Sequence, residues 1–126
     1  MGNMNSRIVA VALALAATLT STSPLLAHAF LDHSDPAVGS TVPTSPAVMH
    51  LWFTQELEPA FSWVTVSDQS GTAVNDGTAT VDPSSPSEMT VKLKSLPPGT
   101  YTVKWHALSV DTHTTEGDFN FQVGKG

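Results

Sequence analysis

The sequence predicts an all-β domain built as an antiparallel sandwich or barrel. Three observations predict it. Apolar and polar residues alternate over short runs, which is the pattern of half-buried strands. Clusters of Gly, Pro, Asn and Asp separate the runs at spacings of about 8–12 residues. Beyond the first 27 residues no segment carries a helical period longer than a turn.

The strands follow in order. Met49, Leu51 and Phe53 alternate with Val48, His50 and Trp52, so this strand is apolar on most of both faces. Phe61 to Ser67 and Thr78 to Val81 are further candidates. Met89, Val91 and Leu93 alternate with Thr90, Lys92 and Lys94. Tyr101, Val103, Trp105 and Ala107 alternate with Thr102, Lys104 and His106, and the run Gly117 to Val123 places Phe119, Phe121 and Val123 on one face. Between them, Asp68-Gln69-Ser70-Gly71 and Asn75-Asp76-Gly77 supply residues that tolerate positive φ. Pro83 to Pro86 and Pro97-Pro98-Gly99 bound two more loops.

The N-terminus has a different character. Arg7 is the only cation in the first 27 residues, and it precedes an apolar run from Ile8 to Leu19. A polar stretch and Leu25-Leu26-Ala27 follow, which together describe a secretory signal peptide over residues 1–27. The apolar run is shorter than the roughly 20 residues a membrane span needs. Cleavage after Ala27 leaves His28 as the first residue of a single domain, 28–126. Cleavage after Ala29 fits the Ala-x-Ala pattern better and discards His28.

Composition narrows the partners. All eleven acids and only four of the five cations lie in residues 28–126, a formal charge of −7. That balance argues against nucleic acid and anionic membranes. There is no cysteine, so a bound metal must use N and O donors, with methionine as the only sulfur source. Met49 and Met89 are the two methionines outside the leader.

The chemistry concentrates at Asp111-Thr112-His113. In an extended segment residues i and i+2 point the same way, so Asp111 and His113 can present an oxygen and an imidazole nitrogen to one point. Alone, the motif also fits an ordinary surface loop. If the chain starts at His28, that residue adds its α-amine and Nδ1. Four N/O donors suit Cu(II), which favours tetragonal sites; zinc accepts the same donors but prefers a tetrahedron.

At these residues the sequence resembles the CopC family of periplasmic copper-binding proteins, and its YobA-like branch. The matching pieces are His28-Ala29-Phe30-Leu31, Ser34 to Ser40, Leu51-Trp52-Phe53-Thr54, Leu96 to Tyr101, Val103-Lys104-Trp105 and Ser109-Val110-Asp111-Thr112-His113 with Gly117. The resemblance implies a Greek-key fold, Ig-like or cupredoxin-like, of about seven strands. It implies periplasmic localisation, a mature N-terminal histidine, and therefore cleavage after Ala27. It implies one Cu(II) per chain, bound by His28, Asp111 and His113, in copper homeostasis, tolerance or delivery. The delivery partner it suggests is an inner-membrane importer of the CopD kind.

Two departures from the family pattern stand out. Gln55 occupies a position where some members carry an acid, and the acid here is Glu56, which on a strand faces the other side. There is also no methionine-rich segment of the kind that binds Cu(I) in some members. Of the other histidines, His33 is the most plausible extra ligand, while His50 and His106 fall on the outer phase of their strands and read as solvated. Two other functions compete. A copper oxidase built on a histidine brace needs open coordination positions, one of which the added carboxylate of Asp111 fills, so the protein is read as a non-enzyme. An Ig-like interaction module needs no metal at all.

Overall fold

The computed structural model describes residues 29–124. The segment expected to be a signal peptide, residues 1–27, and His28 lie outside the described residues.

Seven strands form: β1 (Leu31–Asp35), β2 (Thr41–Val42), β3 (Val48–Phe53), β4 (Trp63–Ser67), β5 (Glu88–Lys92), β6 (Gly99–Leu108) and β7 (Thr114–Val123). One turn of 3-10 helix, Pro59–Phe61, precedes β4. The strands make two sheets, ordered β1-β3-β5 and β2-β7-β6-β4. Every pairing is antiparallel except β2 with β7, which is parallel. Among the described residues no helix is long and apolar enough to cross a membrane.

The alternation read from the sequence decides what is buried. Met49, Leu51 and Phe53 on β3 and Met89 and Val91 on β5 face Tyr101, Val103 and Trp105 on β6 and Phe119, Phe121 and Val123 on β7 across one core. Burying such side chains contributes about 1.5–3 kcal/mol each, the main favourable term in a domain with no disulfide. Trp105 lies over Gly117, its partner in register, and meets Phe53 edge-on at 5.2 Å between ring centroids.

Three expectations shift. Thr78 to Val81 is not a strand; it touches β5 only through the single bridge Thr80–Thr90, within a long connection that flanks the β5 edge. β1 and β2 form where no alternation announced them. His50 and His106 do lie on outer faces, but each is half-buried against a tryptophan rather than simply solvated. His50 stacks on Trp52 and His106 on Trp63, with centroids at 5.4 and 5.3 Å. Each also sets Nδ1 beside a carboxylate, Glu88 at 2.7 Å and Glu116 at 3.1 Å.

The path of the chain positions the site. Most connections carry it from one sheet to the other, and β6 to β7 is the one pair of consecutive strands that are also neighbours in a sheet. Asp111-Thr112-His113 sits in the turn of that hairpin.

Candidate metal centre

The β6–β7 turn is built around Ser109, which is fully buried. Its carbonyl accepts from Thr112 N–H at 2.9 Å, and its own N–H donates to the His113 carbonyl at 3.0 Å. Between these bonds the chain reverses tightly. Thr112 has φ +73°, the left-handed conformation that a short hairpin loop of this kind demands and that glycine usually supplies. The Asp111-Thr112-His113 segment is therefore a turn, not the extended stretch that residue spacing suggested. The two side chains still converge, and the turn brings them together: His113 Nδ1 lies 3.3 Å from Asp111 Oδ1.

The Ser109 hydroxyl donates to Asp111 Oδ1 and accepts from His113 N–H at 3.3 Å. This one buried side chain thus braces both candidate ligands. The same hydroxyl holds the Asp111 carboxyl below the usual aspartate range; partial desolvation opposes it, and His113 adds a smaller pull in the same direction. Asp111 is an anion under all ordinary conditions. The Asp111 and His113 side chains are 41% and 40% exposed, so both remain accessible to an ion from solution. Two donors about 2.0–2.2 Å from one metal, at an angle near 90–110°, are separated by about 3 Å. In the structure that spacing is an ion-pair contact within the turn, and His113 Nδ1 itself is buried.

The N-terminal segment arrives at the same end of the sandwich. Ala29 is fully buried, and its carbonyl accepts from the Thr115 hydroxyl at 2.5 Å. One residue on, Phe30 N–H donates to Thr54 Oγ1 at 3.0 Å, and Thr54 N–H donates to the Phe30 carbonyl at 2.9 Å. The chain is thus fastened to β7 of one sheet and to the end of β3 in the other.

Gln55 and Glu56 lie past the end of β3, so strand phase does not govern where they point. The Glu56 carbonyl accepts from Val110 N–H at 3.1 Å, which puts its backbone beside the turn, with an exposed side chain. His33 stacks on Trp52 at 4.4 Å and pairs with Asp32 at 2.7 Å on the outer face of the β1-β3-β5 sheet. Among the described residues no three His, Asp or Glu side chains are grouped to hold a metal. Asp111 and His113 are the part of the predicted set brought together; His28 lies outside the described residues. Ser109 and Thr115 were not singled out from the sequence. Each acts through a hydroxyl, and the Thr115 contact spans 86 residues of chain, so no local pattern announces it.

Residues 31–124 match the CopC domain. Protein YobA of Escherichia coli K12 is 34% identical over 119 residues, 94% of this chain and 96% of that protein. Among solved structures, CopC from Methylosinus trichosporium OB3b superposes with a TM-score of 0.72 at 34% identity, covering 76% of this chain and 93% of that one. PcoC from Escherichia coli, a methionine-rich copper resistance protein, superposes with a TM-score of 0.67 at 31% identity, covering 77% and 99%. With the domain match spanning both sheets and the hairpin that carries Asp111 and His113, this chain belongs to the CopC family.

Proposed function

We infer that this chain is an exported, periplasmic protein that holds one Cu(II) ion through His28, Asp111 and His113 for copper homeostasis, tolerance or delivery. A copper-related role accords with membership of a family whose structural relative PcoC is named for copper resistance. One observation carries the site assignment. Asp111 and His113 lie 3.3 Å apart in the turn leading to β7, and the residue next to His28 is tied to β7 two positions after His113. Consecutive Cα atoms are about 3.8 Å apart, so a chain that starts at His28 begins within one residue of that tie. Its α-amine and imidazole then complete an N, N, O, N set, the donor type Cu(II) prefers.

The same set argues for holding copper rather than using it. A carboxylate in the fourth position fills the place where an oxygen-activating centre binds its substrate. Release to a CopD-like importer in the inner membrane completes the reading on the delivery side.

The test is a competition titration with Cu(II) on protein starting at His28 and on protein carrying one extra residue before it. The extension turns the amine into an amide and leaves the fold intact. The His28 form is expected to bind one equivalent tightly and the extended form to lose most of that affinity. Equal binding by the two forms would falsify the site.

A further inference from the structure

The tie between Ala29 and β7 is made by the hydroxyl of a single residue, Thr115. Thr115 belongs to the inward phase of β7, in line with Gly117, Phe119, Phe121 and Val123. It stands opposite Ala107 in the register of the hairpin. Its hydroxyl reaches across the mouth of the sandwich to the carbonyl of Ala29, a fully buried residue. A methyl group in place of that hydroxyl would fill the same space and hold nothing.

We propose that Thr115 is the positioning residue of the copper centre, its hydroxyl fixing the reach of the N-terminal donors onto Asp111 and His113. This rests on the Cu(II) reading above. The geometry gives the hydroxyl a specific lever. Donors on His28 extend from the residue that precedes Ala29, and the Ala29 carbonyl is the first group of the described chain fastened to the β7 strand. The Thr54 bonds fasten Phe30 to the other sheet and orient the segment as a whole. The Thr115 bond ties the segment to the strand that His113 leads into, so it bears on the distance between the two halves of the ligand set. Ser109 does the corresponding work within the turn, holding Asp111 and His113 to each other. Between them, two hydroxyl groups would pre-arrange the donors before copper arrives. Groups that orient metal ligands without touching the metal commonly change affinity by about 10–100-fold.

The experiment uses protein starting at His28 and compares Thr115→Val, Thr115→Ser and His113→Ala. Cu(II) affinity is read by competition and the ligand field by electron paramagnetic resonance, with the thermal midpoint of the metal-free protein measured alongside. Thr115→Val should lose roughly 10–100-fold in affinity and alter the spectrum. Thr115→Ser, which keeps the hydroxyl, should restore both. A merely structural threonine would lower the midpoint without moving the spectrum. Wild-type affinity and spectrum in Thr115→Val, with His113→Ala impaired, would overturn the positioning role and leave the ligand set standing. Wild-type binding by His113→Ala as well would overturn the ligand set itself. If Thr115→Val does not fold, Thr115→Ala carries the test: a loss of tenfold or more with an altered spectrum supports the positioning role, and wild-type affinity and spectrum overturn it.

Discussion

Asp111 and Ser109 form a pair whose electrostatics can be read at a single residue. The Ser109 hydroxyl stabilises the carboxylate, so the folded-state pKa lies below the ordinary value of about 3.9. A depressed folded value means the contribution to stability is complete above the ordinary pKa and is lost as pH falls through the folded one. The Asp111–Ser109 contribution to the turn should therefore stay complete from neutrality down to the ordinary aspartate value and be lost only below it. Copper loss on acidification should come earlier, because imidazole and amine donors must be deprotonated to bind and protons compete with the metal for them. Following the Asp111 carboxyl carbon by NMR checks the first half: a midpoint below the ordinary aspartate value in the wild type, rising toward it in Ser109→Ala, is expected. A wild-type midpoint at or above the ordinary value would contradict the brace. The residue types of this site were legible in the sequence, and their arrangement was not. Asp-x-His marked two side chains that the turn does bring together, while implying an extended segment, because spacing alone cannot reveal that Thr112 takes φ +73°. A β-branched residue there costs about 1–2 kcal/mol, and propensity argues against it.

At the scale of elements, the hairpin of β6 and β7 supports the turn, and its tightest fit is at Gly117. A Cβ built on Gly117 would lie 2.6 Å from Cζ2 of Trp105, so the indole occupies the space that any side chain would need. Gly117→Ala should push Trp105 off its seat and into Phe53, destabilising the domain by about 1–3 kcal/mol, as overpacked cores do. The check is a denaturant midpoint together with Trp fluorescence; an unchanged midpoint would mean the indole has room to shift freely. This contact explains what sequence could and could not give. The inward phase of Trp105 was readable from the alternation of β6, whereas nothing in the sequence says that the indole lies over Gly117. β3, β5, β6 and β7 were legible for the same reason, each burying one face. β1 was not, since Leu-Asp-His-Ser-Asp has no alternation and its pairing with β3 shifts register between Leu31 and His33. The apolar outer face of β3 also finds its reason only in three dimensions, with Trp52 stacked between His33 and His50.

For the whole molecule, the decisive feature is where its sulfur lies. Met49 and Met89, the only methionines of the described residues, are both fully buried, on adjacent strands in register with Leu51 and Val91. A thioether sealed in the core cannot reach a metal held at the hairpin turn, and cysteine is absent from the chain. The proposed donors are therefore all nitrogen and oxygen, which favour Cu(II), whereas Cu(I) favours soft sulfur. PcoC, by contrast, is named as methionine rich. Stability provides the readout, because an ion that binds only the folded chain raises stability by mass action. Free Cu(II) at a hundred times its Kd should add about 2.7 kcal/mol. For a domain of this size each kcal/mol moves the thermal midpoint by about 4–8 °C, so the shift should be on the order of 10 °C. Reducing the metal to Cu(I), anaerobically and at the same total copper, should erase most of that shift. The extended form that blocks the His28 amine should show little shift with either oxidation state. A Cu(I) shift as large as that of Cu(II) would require sulfur at the site, and with both methionines in the core it would mean that the sandwich opens to bind.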